Sequence, residues 1–246
     1  MAIVLFVIIH WYVSLFFQSF FHHRYAAHGM FTMSRFWERV FYCCCFISQG
    51  SSYISPYAYG IMHRLHHAYS DTPEDPHSPS NSPGFFAMLL QTRNNYFNIF
   101  TGKTQLEERF KKGIPSWRAF DHLLHNWIMR VTFAIVYLLI YLLLATHWWQ
   151  YLFLPVTIAM ATVQGSIVNW WAHRFGYRNF TVGNDSRNII PFDIFFWGEA
   201  YHNNHHRYPG RPKTSFKWFE LDLGYLIMRF FHLLGIIQIK RELTPH

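Results

Sequence analysis

Three histidine clusters stand out along this 246-residue chain: His23-Arg24-Tyr25-Ala26-Ala27-His28, His63-Arg64-Leu65-His66-His67 and His202-Asn203-Asn204-His205-His206. Neutral imidazole offers a ring-nitrogen lone pair near neutral pH and is the commonest protein ligand for transition metals. Imidazoles at these spacings therefore point to a metal centre rather than to packing. On a helix, HxxHH puts positions i, i+3 and i+4 on one face, so the three rings of each triplet can converge on one point. The five-residue separation of His23 and His28 sets their rings roughly 140° apart on an ideal helix. That pair requires the helix to end or loosen there, or the two rings to approach from different sides.

The elements that must carry these clusters follow from the charge map. All 21 Lys and Arg and all 13 Asp and Glu fall within residues 24–130 and 174–246, leaving 1–23 and 131–173 free of formal charge. Met1–Phe21 is long enough, at ~1.5 Å per residue, to cross a ~30 Å hydrocarbon core. Segments 128–146 and 150–170 form a second and third span around the uncharged turn Thr146-His147-Trp148-Trp149-Gln150, whose paired tryptophans suit a membrane interface. The sequence thus predicts an all-α integral membrane protein with about three transmembrane helices, at about 1–21, 128–146 and 150–170. A helical cap, residues 22–127 and 171–246, carries the histidine-rich site, and residues 1–246 form a single domain.

Parity fixes the topology. If Phe36–Met62 crossed the membrane, the first two clusters would face opposite sides. Its apolar run is interrupted by Glu38, Arg39 and Gln49-Gly50-Ser51-Ser52, and it is expected as an interfacial or buried helix pair lying along the membrane. Phe216–Ile239, with Glu220, Asp222 and Arg229 spaced through its apolar residues, is expected to lie amphipathically at the interface. All clusters then share one face with every Lys and Arg, which the positive-inside rule makes cytoplasmic, with the N-terminus outside. No basic region precedes the first apolar run, and cleavage near Ala26-Ala27 would remove His23, so a signal peptide is not expected.

Composition agrees: 21% of residues are aromatic and only 14% charged, against about a quarter charged in soluble domains. The net charge of +8 reflects cytoplasmic loops beside anionic lipid. Dispersed Arg and Lys without a recognition motif speak against nucleic-acid binding. Cys43-Cys44-Cys45 lack CxxC spacing and are expected as small buried side chains.

The clusters, their order and their placement around a transmembrane hairpin resemble the membrane-bound fatty acid desaturase family, in particular its stearoyl-CoA (delta-9) branch. His63-Arg64-Leu65-His66-His67-Ala68-Tyr69-Ser70-Asp71-Thr72 followed by Asp75-Pro76-His77 carries this resemblance, as does Gly198-Glu199-Ala200-Tyr201-His202-Asn203-Asn204-His205-His206. The similarity covers roughly residues 20–210. It implies a diiron enzyme that uses dioxygen and two electrons to remove two hydrogens from an unactivated acyl chain. It also implies a ninth ligand in Asn169-Trp170-Trp171-Ala172-His173, with His173 on iron and Asn169 on a metal-bound water. The implied metal set is His23, His28, His63, His66, His67, His173, His202, His205 and His206.

Nine nitrogen ligands exceed a four-coordinate zinc site and the implied reaction needs redox change, so two irons per chain are expected. Glu199, Asp75 and Asp71 are candidates to accept the second ring N–H of ligand histidines. His77 is expected in a turn or beside the ligands rather than among them. His10, His122, His125, His147, His232 and His246 match no cluster position and are expected to be structural or interfacial.

Two departures bear on the substrate. Animal acyl-CoA desaturases place a further transmembrane helix before the one leading into the first cluster, which this sequence is expected to lack. Those enzymes also carry Arg-Asp just before the second cluster, where Ile61-Met62 stand here. The expected substrate is acyl-CoA or acyl-lipid, with an apolar tunnel fixing the reacting carbons. No heme, flavin or nicotinamide motif is present, so electrons come from a separate donor. Arg207, Arg211, Lys213 and Lys217 are candidates to dock an acidic ferredoxin or cytochrome b5-like protein. A hydroxylase on the same framework is the chief alternative. A metal transporter is disfavoured by the lack of ionisable residues within the second and third spans.

Overall fold

A computed structural model of the chain describes residues 1–240, so His246 lies outside the described residues. The described helices are α1 (Ala2–Phe17), continued by a π-helical stretch over Gln18–Ala27, α2 (Arg35–Gln49), α3 (Pro56–Tyr69), α4 (Phe85–Phe100), α5 (Glu108–Lys111) and α6 (Arg118–Leu124). They continue with α7 (Trp127–Leu144), α8 (Leu154–Ile158), α9 (Met160–Ala172), α10 (His202–Arg207) and α11 (Leu223–Leu233). Among the described residues one short antiparallel strand pair, β1 (Phe31–Met33) and β2 (Ile237–Ile239), joins Phe31 to Ile239 and Met33 to Ile237.

Among the described residues two helices are long and apolar enough to cross a membrane, Ala2–Ala27 and Trp127–Leu144. Asn126 starts the second by accepting the Met129 N–H at 3.0 Å on its side-chain oxygen. The third expected span is not straight. Trp148–Ile158 and Met160–Ala172 meet at a bend of 77°, where Ala159 leaves the helical region. The freed backbone groups find partners in the turn after α2. Ser51 Oγ donates to the Ile158 carbonyl, and Ser52 Oγ accepts from the Ala161 N–H at 3.0 Å. Side chains that replace lost ladder bonds are what make a broken helix tolerable away from water.

The segment 36–62 differs from its expectation in its first half. Helix α2, capped by Ser34, runs antiparallel to α1 instead of lying flat. Phe21 packs on Tyr42, Phe17 on Phe41, and His10 Nε2 reaches the Ser48 carbonyl at 2.9 Å. The chain then turns back at Gly50, whose φ of +52° and contact with the Tyr137 hydroxyl leave no room for a Cβ. By Ile54 it is beside His22, whose Nε2 lies 2.9 Å from the Ile54 carbonyl. Helix α3 therefore starts and ends at the same end of α1 as the first histidine cluster. The polar residues that interrupt the apolar run (Gln49, Ser51 and Ser52) are buried and build this turn.

Helix α11 is amphipathic, as its spacing predicts. Gly224 and Met228 are buried, Phe231 packs 5.3 Å from Phe20, and Leu226, Phe230 and Leu233 are exposed. Among the cysteines only Cys45 is fully buried; Cys43 is exposed, because consecutive helical residues cannot all face α1. The histidines outside the clusters make local contacts. His10 stacks on Phe6, His125 Nε2 lies 2.9 Å from the Arg130 guanidinium, His147 stacks on Trp149, and His232 Nδ1 lies 3.2 Å from the Ile237 carbonyl. His122 packs loosely beside Phe100.

Candidate metal centre

The π-helical stretch at the end of α1 resolves the spacing problem of the first cluster. An i→i+5 hydrogen bond, His28 N–H to the His23 carbonyl at 3.1 Å, closes the wider turn. Residues five apart then share a face, and the His23 and His28 rings lie 4.8 Å apart. The helix loosens where the chemistry needs it.

Nine histidines gather into two groups. Ring nitrogens of His23, His28, His63, His67 and His205 lie within 4.8 Å of one another, as do those of His66, His173, His202 and His206. The triplets do not each converge on one point, as their helical spacing suggested. In α3, His63 and His67 join the five-membered group while His66 faces the other. In α10, His202 and His206 stay together and His205 crosses over. Positions i and i+4 share a face more closely than i+3 does, so each helix sends a pair to one group and a single ring to its neighbour.

The facing atoms are all Nε2. Distances are 2.9 Å for His23 to His205, 2.9 Å for His28 to His63, 3.0 Å for His63 to His67 and 2.8 Å for His67 to His205. In the second group they are 3.2 Å for His66 to His206, 3.1 Å for His173 to His202 and 3.0 Å for His202 to His206.

Carboxylates hold the far side of three rings. Glu199 Oε2 lies 2.7 Å from His23 Nδ1, Asp75 Oδ2 2.8 Å from His66 Nδ1, and Asp71 Oδ2 2.9 Å from His173 Nδ1. Each carboxylate is itself held: Glu199 by Ser19 Oγ, Asp75 by the backbone N–H groups of Asp71 and His77, and Asp71 by Ser78 Oγ and the Asp185 N–H. Burial pushes the Glu199 carboxyl up, but His23 and Arg24 beside it more than offset that and hold it below its ordinary value. Asp71 is likewise pushed up by burial and pulled lower still by its donors, His173 first. Burial dominates at Asp75 and raises it to about 6. Burial and then the neighbouring histidines push His28, His63, His66, His202, His205 and His206 well below the usual range, and His67 to about 3. Burial thus favours the neutral imidazole, the form that offers a lone pair.

Asn169, one turn before His173, donates to the His77 carbonyl at 2.5 Å, while its buried Oδ1 makes no hydrogen bond among the described residues. His77 stacks edge-on to His66 with ring centres 4.4 Å apart. Arg207 at the end of α10 and Lys213 and Lys217 beyond it are exposed, and the Arg211 guanidinium sits 4.0 Å over the Phe216 ring.

The sequence reading passed over Arg24, which lies within the first cluster. It is fully buried, donating to Asp222 at 2.8 Å, to the Trp197 carbonyl at 3.0 Å and to the Pro212 carbonyl at 2.8 Å. It thereby ties α1 to the segment carrying Glu199 and α10. Its signal was positional: a charged residue one place after His23, where a helix buried all round has no outlet to water.

A cavity of about 210 Å³ runs past both groups, reaching His23, His63, His66 and His202. Its walls come from α1, α3, α4 and α9, including Leu15, Met62, Met88 and Val168, with Arg93 and Arg130 also on its lining.

The sequence pattern of the fatty acid desaturase family matches residues 1–229. Relatives include the delta-9 acyl-lipid desaturase 2 of Arabidopsis thaliana, 27% identical over 87% of this chain and 67% of its own length. The sn-1 stearoyl-lipid 9-desaturase of Anabaena variabilis is 26% identical over 87% of this chain and 74% of its own. The sn-2 palmitoyl-lipid 9-desaturase of a Nostoc species is 27% identical over 96% and 80%. The chain belongs to the fatty acid desaturase family.

Proposed function

We propose that this chain is a membrane desaturase that places a cis double bond at delta-9 of a lipid-linked acyl chain, using dioxygen, two electrons and two irons held by the nine histidines. The observation that carries this reading is the pairing of Nε2 atoms at 2.8–3.2 Å. Where Nδ1 carries the proton toward a carboxylate, as at His66 and His173, Nε2 presents a lone pair. Several Nε2 atoms turned on one point at such distances form the arrangement that a shared cation would take up. Ligands at ~2.1 Å from a metal and at right angles to each other stand about 3.0 Å apart, which is the spacing found. His23, His28, His63, His67 and His205 would hold one iron. His66, His173, His202 and His206 would hold the other, with the free Asn169 Oδ1 placed for a bound water. Bound iron supplies the redox change by which dioxygen takes two hydrogens from an unactivated chain.

The protein's own groups do the rest. Glu199, Asp75 and Asp71 fix ring tautomer and orientation. The largely apolar cavity would accept the acyl chain, exclude water and set which carbons lie beside the two histidine groups. A lipid-linked substrate is favoured over acyl-CoA because Ile61 and Met62, where the acyl-CoA branch carries charge, are only 1% and 5% exposed. The relatives' names point the same way. The site faces the cytoplasm, and electrons arrive from an acidic donor, ferredoxin or cytochrome b5-like, docking on the basic edge formed by Arg207, Arg211, Lys213 and Lys217.

Expression in a host of defined lipid composition, with mass spectrometry of its fatty acids, tests the proposal. New delta-9 double bonds in glycerolipid chains are expected. Hydroxylated chains would instead make it an oxygenase, and an unchanged lipid profile would remove the activity altogether.

A further inference from the structure

The segment just before Glu199 carries an unused feature. Phe192, Ile194 and Phe195 are 57%, 47% and 51% exposed and form one apolar tip in a non-helical loop. At its tip this loop is fastened to the flank of α1, a few turns before the first histidine cluster. Trp11 Nε1 donates to the Phe195 carbonyl at 3.4 Å, and Trp197 Nε1 donates to the Tyr12 carbonyl at 3.0 Å. Rings of Tyr12 and Phe16 pack on Trp197 at 6.1 and 5.5 Å. Tyr12 lies about 16 Å along the helix from His23 at ~1.5 Å per residue, comparable with half the thickness of a ~30 Å hydrocarbon core. At the same level α1 exposes Ile8, Ile9 and Val13.

Irregular backbone is costly in lipid unless its polar groups are paired, and most of the N–H groups over residues 192–197 are. The Asp193 side chain accepts the N–H groups of Phe195, Phe196, Gly198 and Ala200. The Asp193 N–H itself goes to the Tyr201 hydroxyl. Asp193 is fully buried, so the charge is hidden inside the loop and only the apolar tip faces out.

We propose that the loop over residues 191–197 is a membrane-inserted wedge whose Phe192, Ile194 and Phe195 contact lipid acyl chains, fixing the segment that bears Glu199 and the third histidine cluster at a set depth. The proposal rests on α1 being a membrane span. It is tested on full-length protein in phosphatidylcholine nanodiscs, with Cys43, Cys44 and Cys45 replaced by alanine and a nitroxide attached through Ile194→Cys. Ile9→Cys is the reference for lipid and Ser80→Cys the reference for water. Collisional relaxation by dissolved oxygen should exceed that by a water-soluble nickel chelate at position 194, as at position 9, with the reverse at position 80. A water-like response at 194 with a lipid-like response at 9 overturns the wedge and leaves the span standing. A water-like response at both overturns the span, and the wedge with it. A second label through Phe195→Cys repeats the measurement should Ile194→Cys disturb folding.

Discussion

Asp75→Asn isolates the contribution of one orienting carboxylate. His66 and Asp75 are both wholly shielded from solvent, with Nδ1 and Oδ2 2.8 Å apart. Oδ2 also accepts the Asp71 N–H at 2.9 Å, and Oδ1 accepts the His77 N–H at 3.0 Å. Asparagine offers one acceptor oxygen where three donors need two. With its NH2 at the Oδ1 position it opposes the His77 N–H. At the Oδ2 position it opposes the Asp71 N–H and drives the His66 proton from Nδ1 to Nε2, the atom that must bind metal. Loss of such a partner typically costs 10–100-fold in metal affinity, or about 1.4–2.7 kcal/mol. Chelator competition with ferrous iron on anaerobically purified protein measures it, with thermal melting as a check on folding. Wild-type affinity in a folded Asp75→Asn protein would refute the orienting role.

The pH dependence follows from the same group. Burial raises Asp75 from 3.8 to about 6. Because the folded value lies above the unfolded one, its protonated form favours the folded chain. This contribution to stability is full below 3.8 and lost as pH rises through about 6. Iron uptake needs the ionised carboxylate and should run the other way, weakening as pH falls through about 6. The seven imidazoles pushed far lower by burial add no step there, and Asp75→Asn should weaken the inflection.

Other tests follow from the same geometry. Arg24→Met strands the buried Asp222 and Glu199 carboxylates and should cost about 3–5 kcal/mol, seen as a lower melting temperature that Asp222→Asn partly restores. His173→Ala should abolish desaturation in cells, whereas His122→Ala, a loosely packed surface ring, should leave it intact. In a variant without Cys43–Cys45, cysteines at Ser80 and Asn184 should label only from the cytoplasm and one at Thr146 only from outside. Labelling of Ser80 and Asn184 from opposite faces would break the shared site.

The histidine clusters were legible because ligand chemistry is written in side chains and the short spacings within each cluster survive folding. How they divide was not. That His66 and His205 each desert their own triplet depends on how α3 and α10 face one another, and no local spacing encodes it. His173 and Asn169 entered through the family resemblance alone, since a lone histidine at a membrane edge has no pattern of its own. The spans were readable from charge, but the 77° bend at Ala159 depends on Ser51 and Ser52, over a hundred residues earlier. The same serines looked like a simple break in an apolar run. Composition likewise gave no sign that α2 would fold back along α1, because half-buried and interfacial helices share one amphipathic pattern.

Metal content tests the central claim most directly. Protein purified without oxygen, with iron supplied during expression, should contain two irons per chain by elemental analysis, falling in His66→Ala and in His205→Ala, each of which removes a ring from a different group. A single zinc per chain, or full iron content in both variants, would contradict the two-group centre from which the rest of the account is built.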